Sequence, residues 1–237
     1  MLKDERYDEI LKILDNEKYI SSQELARRLF VSMPTIRRDL AHLEKTKQIV
    51  RNYGGARKIS DEYLVMPMRL REKGNQIEKK QLCEDAAKLI KDDSIVFLDG
   101  STTVLQIAEF ISEKQNITVI TNGIPLLLML IKKGIKAYST GGELIENSMA
   151  YAGSFAEEFI RKFNIDMCFF SCHGVNKNGI IVDSSLSETQ LRSAVISQSA
   201  KSVFLCDKTK FNVSASYNLM PLSDVDHIVT NKNPQNN

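Results

Sequence analysis

The sequence lacks any long hydrophobic segment. Its longest apolar run, Ile124–Ile131, has 8 residues, whereas a membrane-spanning helix needs about 20. The N-terminus is charged from the third residue onward, which does not match the apolar core of a secretory signal. The 237 residues include only four cysteines. These shortages exclude a membrane span and a disulfide-stabilised secreted scaffold, and we expect a cytoplasmic protein with reduced thiols.

Metal-ligating residues are also scarce, because the chain has three histidines. Cys168, Cys172 and His173 stand close together in the sequence, but Met167–Ser171 has the apolar pattern of a buried strand. A small buried cysteine is the better interpretation of Cys168. His173 fits a turn residue better than a ligand contact. We therefore predict no metal site and no cofactor.

Charge is distributed unevenly along the chain. The formal net charge is +2, yet residues 1–58 carry 13 Lys and Arg against 9 Asp and Glu, while the remainder is mildly acidic. A basic segment joined to an acidic body indicates that only the segment binds a polyanion. We predict a first domain at residues 1–59, a linker at 60–74 and a second domain at 75–237.

The first domain has the pattern of three short helices followed by a hairpin. Apolar residues recur at helical spacing through residues 5–50. Gln48–Arg51 and Ala56–Ile59 then flank two glycines, Gly54 and Gly55, which are typical of a hairpin tip. The second helix is expected at Ser22–Phe30, and the short turn after it gives the spacing of a helix-turn-helix.

The third predicted helix, Met33–Lys45, is a candidate DNA-reading helix. Ile36, Leu40 and Leu43 form one apolar stripe, and Arg38 lies on the opposite face. An arginine in this position can bond to guanine or to phosphate. The alternative, a merely solvated helix face, is weakened by the helix-turn-helix spacing, the hairpin and the local basic excess. The candidate DNA contacts are Ser32, Pro34, Thr35, Arg37, Arg38, Arg51 and Tyr53.

From residue 75 onward, helical and strand patterns alternate. Helices are expected at Ile77–Ile90, Thr103–Ser112, Pro125–Lys132, Phe155–Phe163 and Leu186–Gln198. Strands are expected at Ser94–Leu98, Ile117–Thr121, Ile135–Ser139, Met167–Ser171, Ser202–Leu205 and His227–Val229. This alternation predicts an α/β domain with a mostly parallel sheet and helices on both faces.

Polar motifs follow several of these strands, where ligands of open parallel sheets bind. The strongest is Leu98–Thr103, which combines small residues, three hydroxyls and the predicted start of a helix. These are the features of a phosphate-binding loop, and we call this segment the cradle. It has neither the Walker lysine nor a Gly-x-Gly-x-x-Gly pattern. The alternative is an ordinary capped turn between a strand and a helix.

Other strand ends add polar side chains. Lys210 is suited to neutralising a phosphate, and Asp99 or Glu188 to accepting sugar hydroxyls. Each group also has a plainer explanation as a tight turn, a surface ion pair or a solvated loop. The candidate effector-binding residues are Asp99, Ser101, Thr102, Thr103, Asn122, Gly141, Gly142, Glu188, Arg192, Asp207 and Lys210.

Two strings carry a family resemblance. Ser32–Leu40 (SMPTIRRDL) and Arg51–Ala56 (RNYGGA) look like the winged helix of DeoR-family bacterial transcription regulators. The family usually has His where this chain has Tyr53, and often Gly where it has Ser101. The second domain resembles the effector domain of the same family, which is similar in fold to ribose-5-phosphate isomerase and is thought to bind phosphorylated sugars.

The resemblance implies a transcription regulator, a repressor of carbohydrate-metabolism genes controlled by a phosphorylated sugar. Its partners would be operator DNA, the effector and further copies of itself, because two half-sites need a homodimer or a higher oligomer. Ligand control is expected to pass through the linker at 60–74. The alternative is a sugar-phosphate isomerase with Glu188 or Asp183 as base. The isomerase's dense string of Asp, Lys and Gly is not apparent around Cys172–Asp183, so we predict no enzymatic activity.

Overall fold

The computed structural model describes residues 3–17, 19–45, 48–52, 54–58, 68 and 75–231. The chain divides into two compact units, Met1–Leu64 and Val65–Asn237. The predicted DNA contact Tyr53 lies outside the described residues, as does the predicted linker at 60–74 apart from Met68.

The N-terminal unit contains the three predicted helices and the predicted hairpin. The helices are α1 (Lys3–Asn16), α2 (Ser22–Arg28) and α3 (Met33–Lys45). The strands are β1 (Ile20–Ser21), β2 (Ile49–Asn52) and β3 (Gly55–Lys58). The two-residue strand β1 was not predicted. It pairs antiparallel with β3, so the hairpin is joined to the start of α2 in a sheet of order β1-β3-β2.

The core of this unit confirms the predicted apolar stripe of α3. Ile36, Leu40 and Leu43 are fully buried, and Ile10 of α1 and Leu25 of α2 pack in the same cluster. Because this stripe is fixed in the core, the opposite face of α3 faces outward.

The C-terminal unit confirms the predicted α/β class. Its helices are α4 (Gln76–Ala87), α5 (Ile124–Lys132), α6 (Ser154–Ile160) and α7 (Leu186–Gln198). The strands of its main sheet are β4 (Ile95–Leu98), β5 (Thr118–Thr121), β6 (Lys136–Ser139), β9 (Met167–Phe170), β12 (Ser202–Leu205) and β14 (His227–Val229). All neighbours are parallel, in the order β14-β12-β9-β4-β5-β6.

This strand order creates a switch point at the centre of the sheet. From β4 the chain moves outward through β5 and β6, and it then returns to the other side of β4 to build β9, β12 and β14. The connections after β4 and β9 therefore diverge, which leaves a crevice at the carboxyl ends of these two strands.

Side chains of the sheet alternate between two hydrophobic clusters. Val96 and Leu98 of β4 face the cluster that includes α4 and α5, whereas Phe97 faces the cluster of α6 and α7. On β9, Cys168 packs in the second of these clusters, as predicted for a buried cysteine. Helices therefore cover both faces of the parallel sheet, as the alternating pattern predicted.

The prediction of a helix at Thr103–Ser112 is wrong in type and length. The structure has a shorter 3-10 helix at Val104–Glu109. Lys133 donates its side-chain Nζ to the carbonyl oxygens of Glu109 and Ile111, at 3.0 and 2.9 Å. In a longer helix, these carbonyl oxygens would accept hydrogen bonds from the N–H groups of the next turn. Lys133 satisfies them instead, which stabilises the end of the helix.

Short antiparallel strands complete this unit, and the sequence pattern did not predict them. β7 (Glu143–Ile145) and β8 (Ala150–Ala152) form a hairpin. β10 (Gly174–Val175), β11 (Ile180–Asp183) and β13 (Tyr217–Pro221) form a small sheet. In the sequence, the β7–β8 hairpin follows β6, and strands β10 and β11 follow β9. Among the described residues, no helix combines the length and the apolar character that crossing a membrane requires.

Candidate functional site

The outward face of α3 presents the predicted cations. Arg37 and Arg38 are exposed, as are Ser32 and Pro34 at the start of the helix. The Ser32 Oγ lies 2.9 Å from Thr35 Oγ1, so these hydroxyls begin the helix. The N-terminal half of α3 is thus a polar, basic surface.

Arg51 of β2 adds a further exposed cation to this unit. Its Nη1 lies 3.6 Å from the carboxylate of Glu44, an exposed and weak pair. Arg51 also lines a cleft of about 470 Å³ together with Arg37, Ser22 and Gly54. The first residues of α2, helix α3 and the hairpin therefore meet around one opening.

A buried ion pair, which sequence reasoning missed, orients α3. Asp39 is only 1% exposed, and it receives two hydrogen bonds from Arg6 of α1, Nε to Oδ2 at 2.5 Å and Nη2 to Oδ1 at 3.0 Å. In the sequence, Asp39 follows two exposed arginines and has the appearance of a solvated charge. Its partner Arg6 is 33 residues away in the sequence, so the pair is visible only in the folded structure.

In the C-terminal unit, some of the predicted residues, including Ser101, Glu188 and Arg192, gather at the switch point around Asp99. This carboxylate is buried just after β4, where its Oδ1 accepts the Ser101 N–H at 3.0 Å. Its Oδ2 accepts the N–H of Ser171, which follows β9, at 3.0 Å, and Arg192 Nε at 3.3 Å. Asp99 therefore joins the loops after the two central strands and holds an arginine of α7.

Arg192 is surrounded by carboxylates. Besides Asp99, it hydrogen-bonds to Asp183 Oδ2 at the end of β11. Burial lowers the pKa of Arg192, but Asp183, Asp99 and Glu188 outweigh it, so the net pKa shift is upward and the guanidinium stays charged. Asp183, considered in the sequence only as a base, is thus a structural partner of Arg192.

Glu188 differs from the other carboxylates of this cluster. Its side chain is 10% exposed, and its Oε1 lies 3.9 Å from Arg192 Nη2, beyond hydrogen-bonding distance. Ser185 is the N-cap of α7, and its Oγ accepts a hydrogen bond from the Glu188 N–H at 3.4 Å. The carboxylate therefore has acceptor capacity left for a donor that enters the site.

Lys210 supplies a cation at the loop after β9. Its Nζ donates to Ser171 Oγ and to the carbonyl of Cys172, both at 2.7 Å. Asp207 caps the short 3-10 helix that carries it, since its Oδ1 accepts the Thr209 N–H at 2.9 Å. Asp207 thus shapes the loop rather than joining the Asp99 cluster.

The predicted cradle lies between β4 and the 3-10 helix. Ser101 Oγ accepts the Val104 N–H at 3.1 Å, which caps the 3-10 helix. Thr102 and Thr103 are buried. Lys79 of α4, which sequence reasoning missed, is also buried, and its Nζ lies 3.2 Å from Thr102 Oγ1.

Asn122 joins the cradle to the β7–β8 hairpin. Its Oδ1 accepts the Gly100 N–H at 2.8 Å, and its Nδ2 donates to the Tyr151 carbonyl at 3.0 Å. The predicted glycines after β6 serve this hairpin: Gly142 has φ +108°, and a Cβ there would lie 2.5 Å from the Ala152 carbonyl oxygen. Gly141 also has a positive φ, +62°.

Among the residues that the structure describes, no group of three or more His, Cys, Asp and Glu side chains could hold an ion.

Two family models match this chain. The DeoR-like helix-turn-helix domain matches residues 6–62, and the DeoR C terminal sensor domain matches residues 74–232. Together these matches span both compact units.

Relatives match over nearly the whole chain. The uncharacterized HTH-type transcriptional regulator YulB of Bacillus subtilis is 32% identical over 97% of this chain and 89% of its own length. A lactose phosphotransferase system repressor of Staphylococcus epidermidis is 31% identical over 98% of this chain and 94% of its own. The L-fucose operon activator of Escherichia coli is 30% identical over 98% and 96%.

Among solved structures, ribose 5-phosphate isomerase A from Methanocaldococcus jannaschii aligns with 58% of this chain and 55% of its own. The TM-score is 0.44 and the sequence identity is 14%.

Proposed function

This chain belongs to the DeoR family of DNA-binding transcription regulators, and from that premise we propose which surfaces bind DNA and effector. The N-terminal half of α3 enters the major groove of operator DNA. The cluster around Asp99 binds a phosphorylated sugar. The protein acts in the cytoplasm as a homodimer or a higher oligomer, because one winged helix makes too few contacts for specific binding.

The DNA assignment depends on one observation: Arg37 and Arg38 are exposed on a helix whose opposite face is fixed in the core. The Arg6–Asp39 pair keeps the carboxylate that follows these arginines off the outward face, which leaves the N-terminal half of that face positive. Arg38 contacts a base edge or phosphate, and Arg37 and Arg51, which share one cleft, contact the backbone.

The effector assignment depends on the switch-point cluster. The backbone N–H groups of Thr102 and Thr103 and the hydroxyls of this loop hold the phosphate, because the N–H groups of Gly100 and Ser101 already donate to Asn122 and Asp99. Lys210 neutralises part of the phosphate charge. Glu188 accepts a sugar hydroxyl, because its carboxylate retains acceptor capacity. Asp99 and Arg192 position the surrounding loops rather than taking the ligand directly.

We propose a repressor whose operon serves carbohydrate metabolism. The relatives include one named as a lactose phosphotransferase system repressor and one named as an L-fucose operon activator. The regulator role is preferred over isomerisation because the relatives are regulators. Arg192 also keeps Asp183 in a buried ion pair, which makes that carboxylate a poor base.

The DNA assignment is tested by selecting an operator from random duplexes and measuring its affinity by fluorescence anisotropy. Arg38→Ala should weaken binding by about tenfold or more and reduce the salt slope by about one. The matched control is Arg27→Ala, which removes an exposed arginine of α2 that is paired with Glu24. Equal affinities of both variants and the wild type would remove Arg38 from the reading face.

The effector assignment is tested by a thermal-shift screen of the full chain against phosphorylated sugars. A sugar that binds only the folded state raises the midpoint. Lys210→Met should abolish that shift, whereas Lys208→Met, an exposed lysine on the same 3-10 helix, should retain it. Any hit is then incubated and checked for conversion, and turnover would favour the isomerase alternative.

A further inference from the structure

Phe30, in the turn between α2 and α3, has an unusual backbone for its residue type. Its φ is 53°, in the left-handed region, which is unfavourable for a bulky side chain. In the described part of the chain, six non-glycine residues have a positive φ, and four of them are Asn or Asp, which adopt this conformation more easily. Phe30 and Met149 are the other two.

Backbone hydrogen bonds hold Phe30 in this conformation. The Leu29 N–H donates to the Leu25 carbonyl at 3.0 Å, and the Val31 N–H donates to the Ala26 carbonyl at 3.1 Å. A bond of this length of chain around a left-handed residue is the Schellman ending of a helix. Glycine is the usual residue at the left-handed position because it has no Cβ. Phenylalanine at this position is therefore less favourable for the ending of α2 than glycine would be.

Packing within the chain does not offset this cost. Leu29 and Val31, on either side, pack in or against the core of the N-terminal unit, whereas 94% of Phe30 is exposed. Single exposed apolar side chains are common on protein surfaces, but this one also occupies a position that favours glycine. A side chain that is costly in the backbone and exposed to water points to a contact outside the chain.

Phe30 lies beside the surface that we assign to DNA. It precedes Ser32 by two residues, and two residues of chain span at most about 7 Å. Ser32 and Pro34 at the start of α3 are exposed, as are Arg37 and Arg38. Because the N-terminal end of a reading helix enters the major groove, a side chain that projects from the preceding turn meets the same groove. The apolar group that this groove presents is the 5-methyl of thymine, which phenylalanine can contact.

We propose that Phe30 contacts the 5-methyl group of a thymine in the operator and thereby contributes to the choice of sequence. This inference rests on the proposed function of α3 as the reading helix. The contact removes the ring and the methyl group from water, which offsets the cost of the left-handed backbone. Since Phe30 carries no charge, it discriminates between bases without adding to the salt dependence of binding.

Phe30→Gly tests the contact because its effects on stability and on DNA binding should have opposite signs. Glycine fits the left-handed backbone, so the thermal midpoint of the N-terminal unit should rise by about 2–5 °C. Operator affinity, measured by fluorescence anisotropy, should fall by about tenfold or more with an unchanged salt slope, because a buried aromatic contact is lost. Phe30→Asn, which also tolerates this backbone, should lose affinity equally. Phe30→Leu keeps an apolar side chain and should retain most of the affinity.

The methyl group is tested with operators in which deoxyuridine replaces thymine at one symmetric pair of positions at a time. At one pair, the wild type should lose affinity by about fourfold for each methyl group removed. Phe30→Gly should lose none at that pair. The control Phe155→Ala removes a phenylalanine that is 78% exposed on the C-terminal unit, and it should bind the operator like the wild type.

The outcomes separate this inference from the proposed function. A wild type that selects no operator overturns both. Loss of affinity in Arg38→Ala but not in Phe30→Gly overturns only the role of Phe30, as does an equal loss in Phe155→Ala. A loss of the same size on random duplexes, or no deoxyuridine position that separates Phe30→Gly from the wild type, overturns the contact with thymine. A smaller oligomer of Phe30→Gly in analytical ultracentrifugation assigns the ring to a second copy of the chain and overturns the DNA contact.

Discussion

Replacing Asp39 with alanine should destabilise the N-terminal unit and leave the stability of the C-terminal unit unchanged. The carboxylate is 1% exposed, and Arg6, its partner on α1, is 12% exposed. Removing Asp39 leaves a guanidinium nearly buried with two lost hydrogen bonds, 2.5 and 3.0 Å long. Since α1 and α3 are linked by this pair, its loss also frees the reading helix to shift.

The magnitude follows from the burial. Breaking a buried ion pair by removing one partner costs about 3–5 kcal/mol. The slight exposure of Arg6 allows water to reach it, so we expect the lower limit, about 3 kcal/mol. Marginal stability of about 0.05–0.15 kcal/mol per residue gives a unit of this size only about 3–10 kcal/mol in all. The midpoint of its thermal transition should therefore fall by roughly 15 °C.

The assay is thermal unfolding of the full chain, combined with hydrogen exchange to assign each transition to α1 and α3 or to the parallel sheet. Asp8→Ala, an exposed carboxylate of α1, is the matched control and should change stability by less than about 0.5 kcal/mol. The double variant Arg6→Met with Asp39→Leu should recover most of the loss, because no charge is left buried. A loss below about 1 kcal/mol in Asp39→Ala would refute the role of the pair.

Other predictions concern the C-terminal unit. Gly142→Ala should lower its thermal stability by more than about 1 kcal/mol, because φ is +108° and the new Cβ meets the Ala152 carbonyl; an unchanged midpoint would contradict this. Burial raises the pKa of Cys83 to about 12, so iodoacetamide at pH 8 should label it only after denaturation, and labelling of the native chain would refute the burial. Hydrogen bonds from the Ser202 hydroxyl and N–H lower the pKa of Asp226. Its contribution is therefore present at neutral pH and is lost as the pH falls through the folded-state pKa. Asp226→Asn should reduce the acid dependence of the urea midpoint, and parallel pH profiles would contradict this.

Residues whose partners are close in the sequence were the ones that could be predicted. The buried stripe Ile36, Leu40 and Leu43 follows from helical spacing alone, and the structure confirms it. The parallel sheet follows from the alternation of apolar runs with helical segments. Its central strands β4, β9 and β12 are buried on both faces, so they are almost entirely apolar instead of alternating with polar residues.

The rest depends on contacts between distant residues. Asp39 finds Arg6 across 33 residues, and Lys79 reaches Thr102 from the preceding helix, so neither pairing leaves a local pattern. The hairpin strands β7 and β8 have three residues each, which is too short for a clear period of two. The candidate effector residues were predicted as a group from their positions after strands, but the difference between Asp99, which positions loops, and Glu188, which has acceptor capacity, appears only in their hydrogen bonds.

The central claim, that occupancy of the switch-point site controls operator binding by α3, has one direct test. Operator affinity of the full chain is measured by anisotropy with and without the sugar phosphate found in the thermal-shift screen, for the wild type and Lys210→Met. We predict that the sugar phosphate changes wild-type affinity by about tenfold, or ~1.4 kcal/mol, and leaves the variant unchanged. The same response in both proteins, or none in the wild type, would contradict the account.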